Sequence, residues 1–287
     1  MLHQDANGID ADWCGTGFFV SVPGLVVPTL QFHVFVTAKH ISDALKDKSV
    51  CFAVNKKGGG ITHIGGNLGS WWTHPSDATA DVAVLPFNMT SDLDIISVAM
   101  TDFLTPDVIV KKNIGIGDEV FMTGLFTFVP SAYAGVQRNM PIVRHGNIAM
   151  LPDQAIQTDY GYAEVYLVEA RSIGGLSGSP VFALQTIALK VKADEGETWV
   201  HGVGGMHLLG VMHGHWDIRE SEMNKPHYMH DEKRGVNLGI GIVVPAHKII
   251  ETINRPELVD WRKEYEQEVL RARTPGPDSG ENVEPSK

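Results

Sequence analysis

A histidine, an aspartate and a serine, each where a strand-and-turn scaffold can present it, constrain this chain more than any other feature. They sit in Thr37-Ala38-Lys39-His40, in Asp81-Val82-Ala83-Val84-Leu85, and in Gly174-Gly175-Leu176-Ser177-Gly178-Ser179-Pro180. The run Val82–Leu85 reads as a buried strand with a polar residue at its mouth. The paired glycines before Ser177 allow turn conformations closed to other residues, and Ser179-Pro180 leads the chain out of the turn toward a strand at Val181–Leu184. Singly, each has an ordinary reading: a strand-end histidine, a turn aspartate, a loop serine. The three together, in this order, point to one machine.

The chemistry explains the residue types. A serine hydroxyl is a weak nucleophile at neutral pH and needs a general base within hydrogen-bond reach. His40 suits that role, because an imidazole can accept and return a proton near operating pH. The base must in turn be held in one tautomer, and a carboxylate such as Asp81 does this while stabilising the imidazolium.

These three strings resemble the chymotrypsin-like (trypsin-like) serine peptidases, whose blocks T-A-x-H, D-[IV]-A-[VL]-L and G-x-S-G-[GS]-P occur in the same order and at similar separations. The resemblance implies catalytic His40, Asp81 and Ser177. It also implies an oxyanion hole from the amides of Gly175 and Ser177. The implied fold is all-β: two antiparallel six-stranded barrels with the active site in the cleft between them, plus a C-terminal helix. The arrangement extends over roughly residues 12–255, although the specific matches are confined to the three strings.

Two departures from the secreted digestive enzymes matter. Leu176 stands where those enzymes carry the aspartate that pairs with a new amino terminus after cleavage. Activity without such activation is therefore expected, as in an intracellular bacterial-type member. Ile41 stands where secreted relatives carry a bridged cysteine. A Cys14–Cys51 bridge is conceivable, but two small buried hydrophobes is the better reading in a reducing compartment. Lys39 is expected to be an exposed flank without catalytic duty.

Specificity is less legible. The resemblance places the pocket just before the serine, at Arg171 and Ser172, and on the later strand carrying His213 and His215, which strict alternation would put on one face. Arg171 with one histidine could hold a carboxylate by charge-assisted hydrogen bonds, giving cleavage after Glu or Asp. The histidines from His201 to His230 also raise a metal reading. No cysteine or tight carboxylate cluster accompanies them, so neither metal nor cofactor is expected.

A net charge of −11 argues against a nucleic-acid partner, and a polypeptide substrate is the expected one. No apolar stretch approaches the roughly 20 residues that span a bilayer. The start, Met1-Leu2-His3-Gln4-Asp5, lacks a secretory pattern, so a cytoplasmic protein is expected. Oligomeric state is not legible. Two other classes compete. A catalytically silent fold of the same type could bind peptides, and an α/β-hydrolase would need G-x-S-x-G and the order Ser, Asp, His.

The sequence divides into a 1–11 segment, barrels over 12–108 and 109–245, a helix over 246–272 and a disordered 273–287 tail. Gly15–Val22 and Leu30–Thr37 read as a hairpin leading to His40. Ile249, Ile250 and Ile253 give the helix an apolar face. A flexible lid is expected over 216–235.

Overall fold

The computed structural model describes residues 2–4, 12–46, 50–66, 70–125, 138–158, 160–170, 176–186, 189–193, 196–200, 204–219 and 235–273. The chain is mostly β, with one closed six-stranded barrel and helices at its C-terminal end.

In the N-terminal half, β3 (Phe18–Pro23) and β4 (Gln31–Thr37) form the expected hairpin, with Val20 opposite Val34. β8 (Ala83–Phe87) pairs with the other edge of β4, so Thr37 faces Ala83 across the ladder. This register explains why two residues far apart in sequence meet. α1 (Lys39–Ala44) starts just after β4, and Asp81 lies just before β8, so His40 and Asp81 emerge at the same end of paired strands. β7 (Trp72–Thr73) and β9 (Val98–Ala99) complete a five-stranded sheet. A second sheet of four strands holds β1 (Leu2–Gln4), β2 (Asp12–Gly15), β5 (Val50–Asn55) and β6 (Ile61–Gly66). Among the described residues these nine strands lie in two sheets, with no continuous ring of pairing.

β4 is buried on both faces, which its nearly unbroken apolar sequence requires. Phe32, Val34 and Val36 turn into one core cluster, whereas Phe35 turns into another with Phe19, Ile41, Phe52 and Leu85. Edge-to-face packing of Phe19 on Phe35, with ring centroids 5.2 Å apart, fixes that second cluster.

The closed barrel runs β10 (Glu119–Leu125), β11 (Pro141–Met150), β14 (Tyr166–Glu169), β19 (Gly235–Pro245), β18 (Met206–Arg219) and β15 (Pro180–Leu184). Closure pairs every edge and leaves no open template. Two small hairpins lie outside it: β12 (Ile156–Thr158) with β13 (Gly161–Ala163), and β16 (Leu189–Ala193) with β17 (Gly196–Val200). Leu176 is buried in the barrel core with Val120, Met122, Val168 and Val181, so its side chain serves packing.

α2 (Pro106–Lys112) interrupts the stretch between the halves, where the sequence shows only turn residues and short apolar pieces. Its signals are local: Thr105 caps the Val108 amide, Pro106 opens the helix, and Asn113 closes it at φ 53°. At the end of the chain come α3 (Ala246–Ile253) and α4 (Pro256–Arg273). α3 buries Ile249 and Ile253 against Val20, Val82 and Val211, joining both halves in one core. None of the described helices is long and apolar enough to cross a membrane. The 274–287 tail, most of the expected lid, and the Cys14 side chain lie outside what is described.

Candidate active site

His40 is the second residue of α1, and its imidazole is partly open to solvent. Asp81 is 2% exposed and anchors it twice. Oδ1 accepts the His40 backbone N–H at 2.8 Å, and Oδ2 lies 2.8 Å from His40 Nδ1. The carboxylate thus fixes both the start of the helix and the imidazole, and it calls for the proton on Nδ1. That leaves Nε2 as the nitrogen able to accept.

The same Oδ2 has a second imidazole on it. His213 Nδ1 lies 2.5 Å away, and His213 is itself buried. Burial alone would push the Asp81 carboxyl up, but hydrogen bonds from His213 and His40 outweigh it and hold the group far below the usual carboxylate range. Asp81 is therefore ionised throughout the neutral range.

Ser177 sits in a tight turn, half-buried, stitched to both halves of the molecule. Thr16 N–H donates to the Ser177 carbonyl at 3.0 Å, Gly178 N–H donates to the Met212 carbonyl at 2.8 Å, and Ser179 N–H closes the turn on Leu176 at 3.0 Å. Gly178 has φ +82°, and a Cβ there would stand 2.1 Å from the Thr16 carbonyl and 2.3 Å from Thr37 Oγ1. Only glycine fits that place. Thr37 Oγ1 itself donates to the Thr16 carbonyl at 2.7 Å, tying the strand before His40 to the segment under Ser177. Gly15 lies between the two: its missing Cβ would meet both Ile41 Cδ1 and the Ser177 carbonyl, the latter at 3.2 Å. Among the described residues, the hydrogen bonds engage neither Ser177 Oγ nor His40 Nε2. Catalytic contacts of this kind are often long before substrate binds.

Gly175, Arg171 and Ser172 lie outside the described residues. His215 is half-buried on β18. The strict alternation behind the expectation that His213 and His215 share one face is interrupted at His213. In the β18–β19 ladder Met212 faces Val243 and Gly214 faces Ile242, so His213 is an extra residue in a β-bulge. A bulge breaks the alternation and re-aims the side chain it carries. Here it aims His213 at Asp81, a placement with no signal in the local sequence pattern.

His40, Asp81 and His213 also form a trio of possible metal ligands, the nearest arrangement to a metal site among the described residues. Ligand atoms around a tetrahedral zinc with bonds of about 2.0 Å stand about 3.3 Å apart. The contacts here are 2.5 and 2.8 Å, which are hydrogen-bond distances.

No protein-family model and no curated protein matches the chain. Among solved structures it is similar to the MamO protease domain from Magnetospirillum magneticum in its apo form, with 18% identity and a TM-score of 0.42 over 72% of this chain and 89% of that one. It is also similar to the HtrA-type protease AlgW with a decapeptide, with 16% identity and a TM-score of 0.44 over 88% of this chain and 52% of that one.

Proposed function

We propose that the chain is a serine endopeptidase with a two-barrel architecture. Ser177 Oγ attacks the carbonyl carbon of a peptide bond while His40 Nε2 takes its proton. The resulting oxyanion is met by the Gly175 and Ser177 amides, each such donor typically contributing roughly 100- to 1000-fold in turnover. His40 then returns the proton to the leaving amine, giving an acyl-Ser177, and a water activated by the same base hydrolyses it. Asp81 remains a carboxylate and balances the imidazolium. The observation that carries this reading is the double anchoring of His40 by buried Asp81, beside a glycine-dependent turn that presents Ser177.

A preference for acidic side chains before the scissile bond rests on Arg171 with a histidine of the following strand. With His213 Nδ1 held by Asp81, His215 is the histidine this idea depends on. A peptide library cleaved best after Arg or Lys contradicts it.

The competing reading, a silent fold that binds peptides, draws on the missing hydrogen bond between Ser177 and His40. Labelling with a fluorophosphonate separates the two, because only an activated serine reacts. We expect stoichiometric labelling of the full chain, lost in Ser177→Ala together with peptide cleavage. A chain that binds peptides yet neither labels nor cleaves them overturns the enzymatic reading.

A further inference from the structure

Asp81 accepts three hydrogen bonds, and the shortest comes from a residue outside the expected trio. We propose that His213 is a positioning residue of this site, a second imidazole that donates Nδ1–H to the Asp81 oxygen serving His40. The proposal rests on the peptidase reading above and deepens it.

Three observations converge on His213. The β-bulge between Met212 and Gly214 turns its side chain out of the ladder and onto Asp81. Its ring is enclosed on two sides, by the His40 ring at 5.7 Å and 85° and by the Tyr160 ring at 5.5 Å and 79°. The preceding residue, Met212, accepts the Gly178 N–H with its carbonyl and donates its own N–H to the Ser179 carbonyl. Two consecutive residues of β18 therefore hold the turn of the nucleophile and the carboxylate of the base. A merely space-filling residue would need no donor aimed at a buried oxygen.

The consequence follows from geometry. With both Nδ1 atoms donating to one carboxylate oxygen, loss of the His213 donor leaves Asp81 Oδ2 held by His40 alone, and the imidazole loses part of what orients it. The groups facing His213 are Asp81, His40 and Tyr160, with Lys39 Nζ 5.7 Å from the Tyr160 ring and His215 farther along its own strand.

The test compares His213→Asn, whose Nδ2–H can replace the donor, with His213→Leu, which removes it. His213→Leu should lower kcat roughly 10- to 100-fold, the scale of a misplaced catalytic group, with KM within about 3-fold by the same argument. His213→Asn should restore kcat to within about 5-fold of wild type, since the positioning bond returns. In the inactive Ser177→Ala chain, proton NMR should show two low-field Nδ1–H resonances, with one lost and the other moved in His213→Leu. Low-field resonances indifferent to the replacement of His213, read in His213→Asn where His213→Leu does not fold, overturn the proposal, as does a His213→Asn chain that fails to recover kcat. Activity surviving in Ser177→Ala would instead overturn the peptidase reading.

Discussion

Asp81 beside the Ser177 turn and Glu266 on α4 are both shut off from solvent, and each accepts three hydrogen bonds, yet their donors differ in kind. Glu266 takes the consecutive backbone amides of Leu25, Val26 and Val27 at 2.7, 2.5 and 2.7 Å, pinning the β3–β4 turn to the last helix. Asp81 takes one backbone amide and two imidazoles. Backbone donors cannot move their protons at any ordinary pH, so the Glu266 contact is a clamp. Imidazole donors can, so under the proposed function the Asp81 contact is where charge would shift. Burial pushes each carboxyl up, and in each case the donors win and hold it below its ordinary value. The electrostatic device is shared; the donor chemistry sets the two apart.

The widest separation between the two regions should come from paired amide substitutions. Asp81→Asn keeps the shape but removes the charge and lets the His40 tautomer reverse. We expect kcat to fall roughly 10⁴-fold, with a much smaller change in melting temperature. Glu266→Gln should do the opposite. It replaces a charged acceptor by an amide whose own N–H groups face the amides of residues 25–27, costing roughly 2–4 kcal/mol and lowering Tm by roughly 5–15 °C. Activity per folded, fluorophosphonate-labelled molecule should stay near wild type. If Glu266→Gln lost catalysis without losing stability, the division drawn here would fail.

How much of this contrast can be read before folding differs between the two sites. His40, Asp81 and Ser177 are legible because each is flanked by its own local pattern: a strand end, an apolar run, a glycine-framed turn. The hairpin into His40 is legible for the same reason, and the structure places it as expected. His213 is not legible as a partner of Asp81, since the bulge that aims it is a property of strand pairing across the barrel. Glu266 looks like one charge among many on a polar helix, and only docking of that helix on residues 25–27 reveals its duty. α2 is missed because its seven residues carry caps but no apolar period of useful length. Among the described residues, the sheets of the N-terminal half show no ring of pairing like the one that closes the C-terminal barrel, a distinction that individual strand patterns do not encode.

A smaller effect concerns acid. Because the native values of Asp81 and Glu266 are depressed, the stability they contribute is fully present above the unfolded-state values of 3.8 and 4.5 and is lost as pH falls through the native ones. The stability gap between wild type and Glu266→Gln, measured by urea midpoints, should therefore be full at pH 7 and narrow at pH 3. A gap that stays constant across that window would mean that the clamp does not depend on the carboxylate charge.

Lys39 supplies the smallest effect and a control for proximity. It precedes His40 directly, pairs with Asp43 at 2.5 Å one helical turn later, and has its ammonium 5.7 Å from the Tyr160 ring that encloses His213. Nearness to two site histidines would suggest importance. Both partners of the ion pair are solvent-accessible, however, with side-chain exposures of 25% and 52%, and exposed pairs of this kind contribute about 0–1 kcal/mol. No hydrogen bond links Lys39 Nζ to Asp81, His40 or His213 among the described residues. Lys39→Ala should accordingly shift stability by less than about 0.5 kcal/mol and leave kcat near its wild-type value. A clear loss of kcat would place the lysine inside the His40–Asp81–His213 site, and the boundary between fixed scaffold and candidate site would have to be drawn one residue wider.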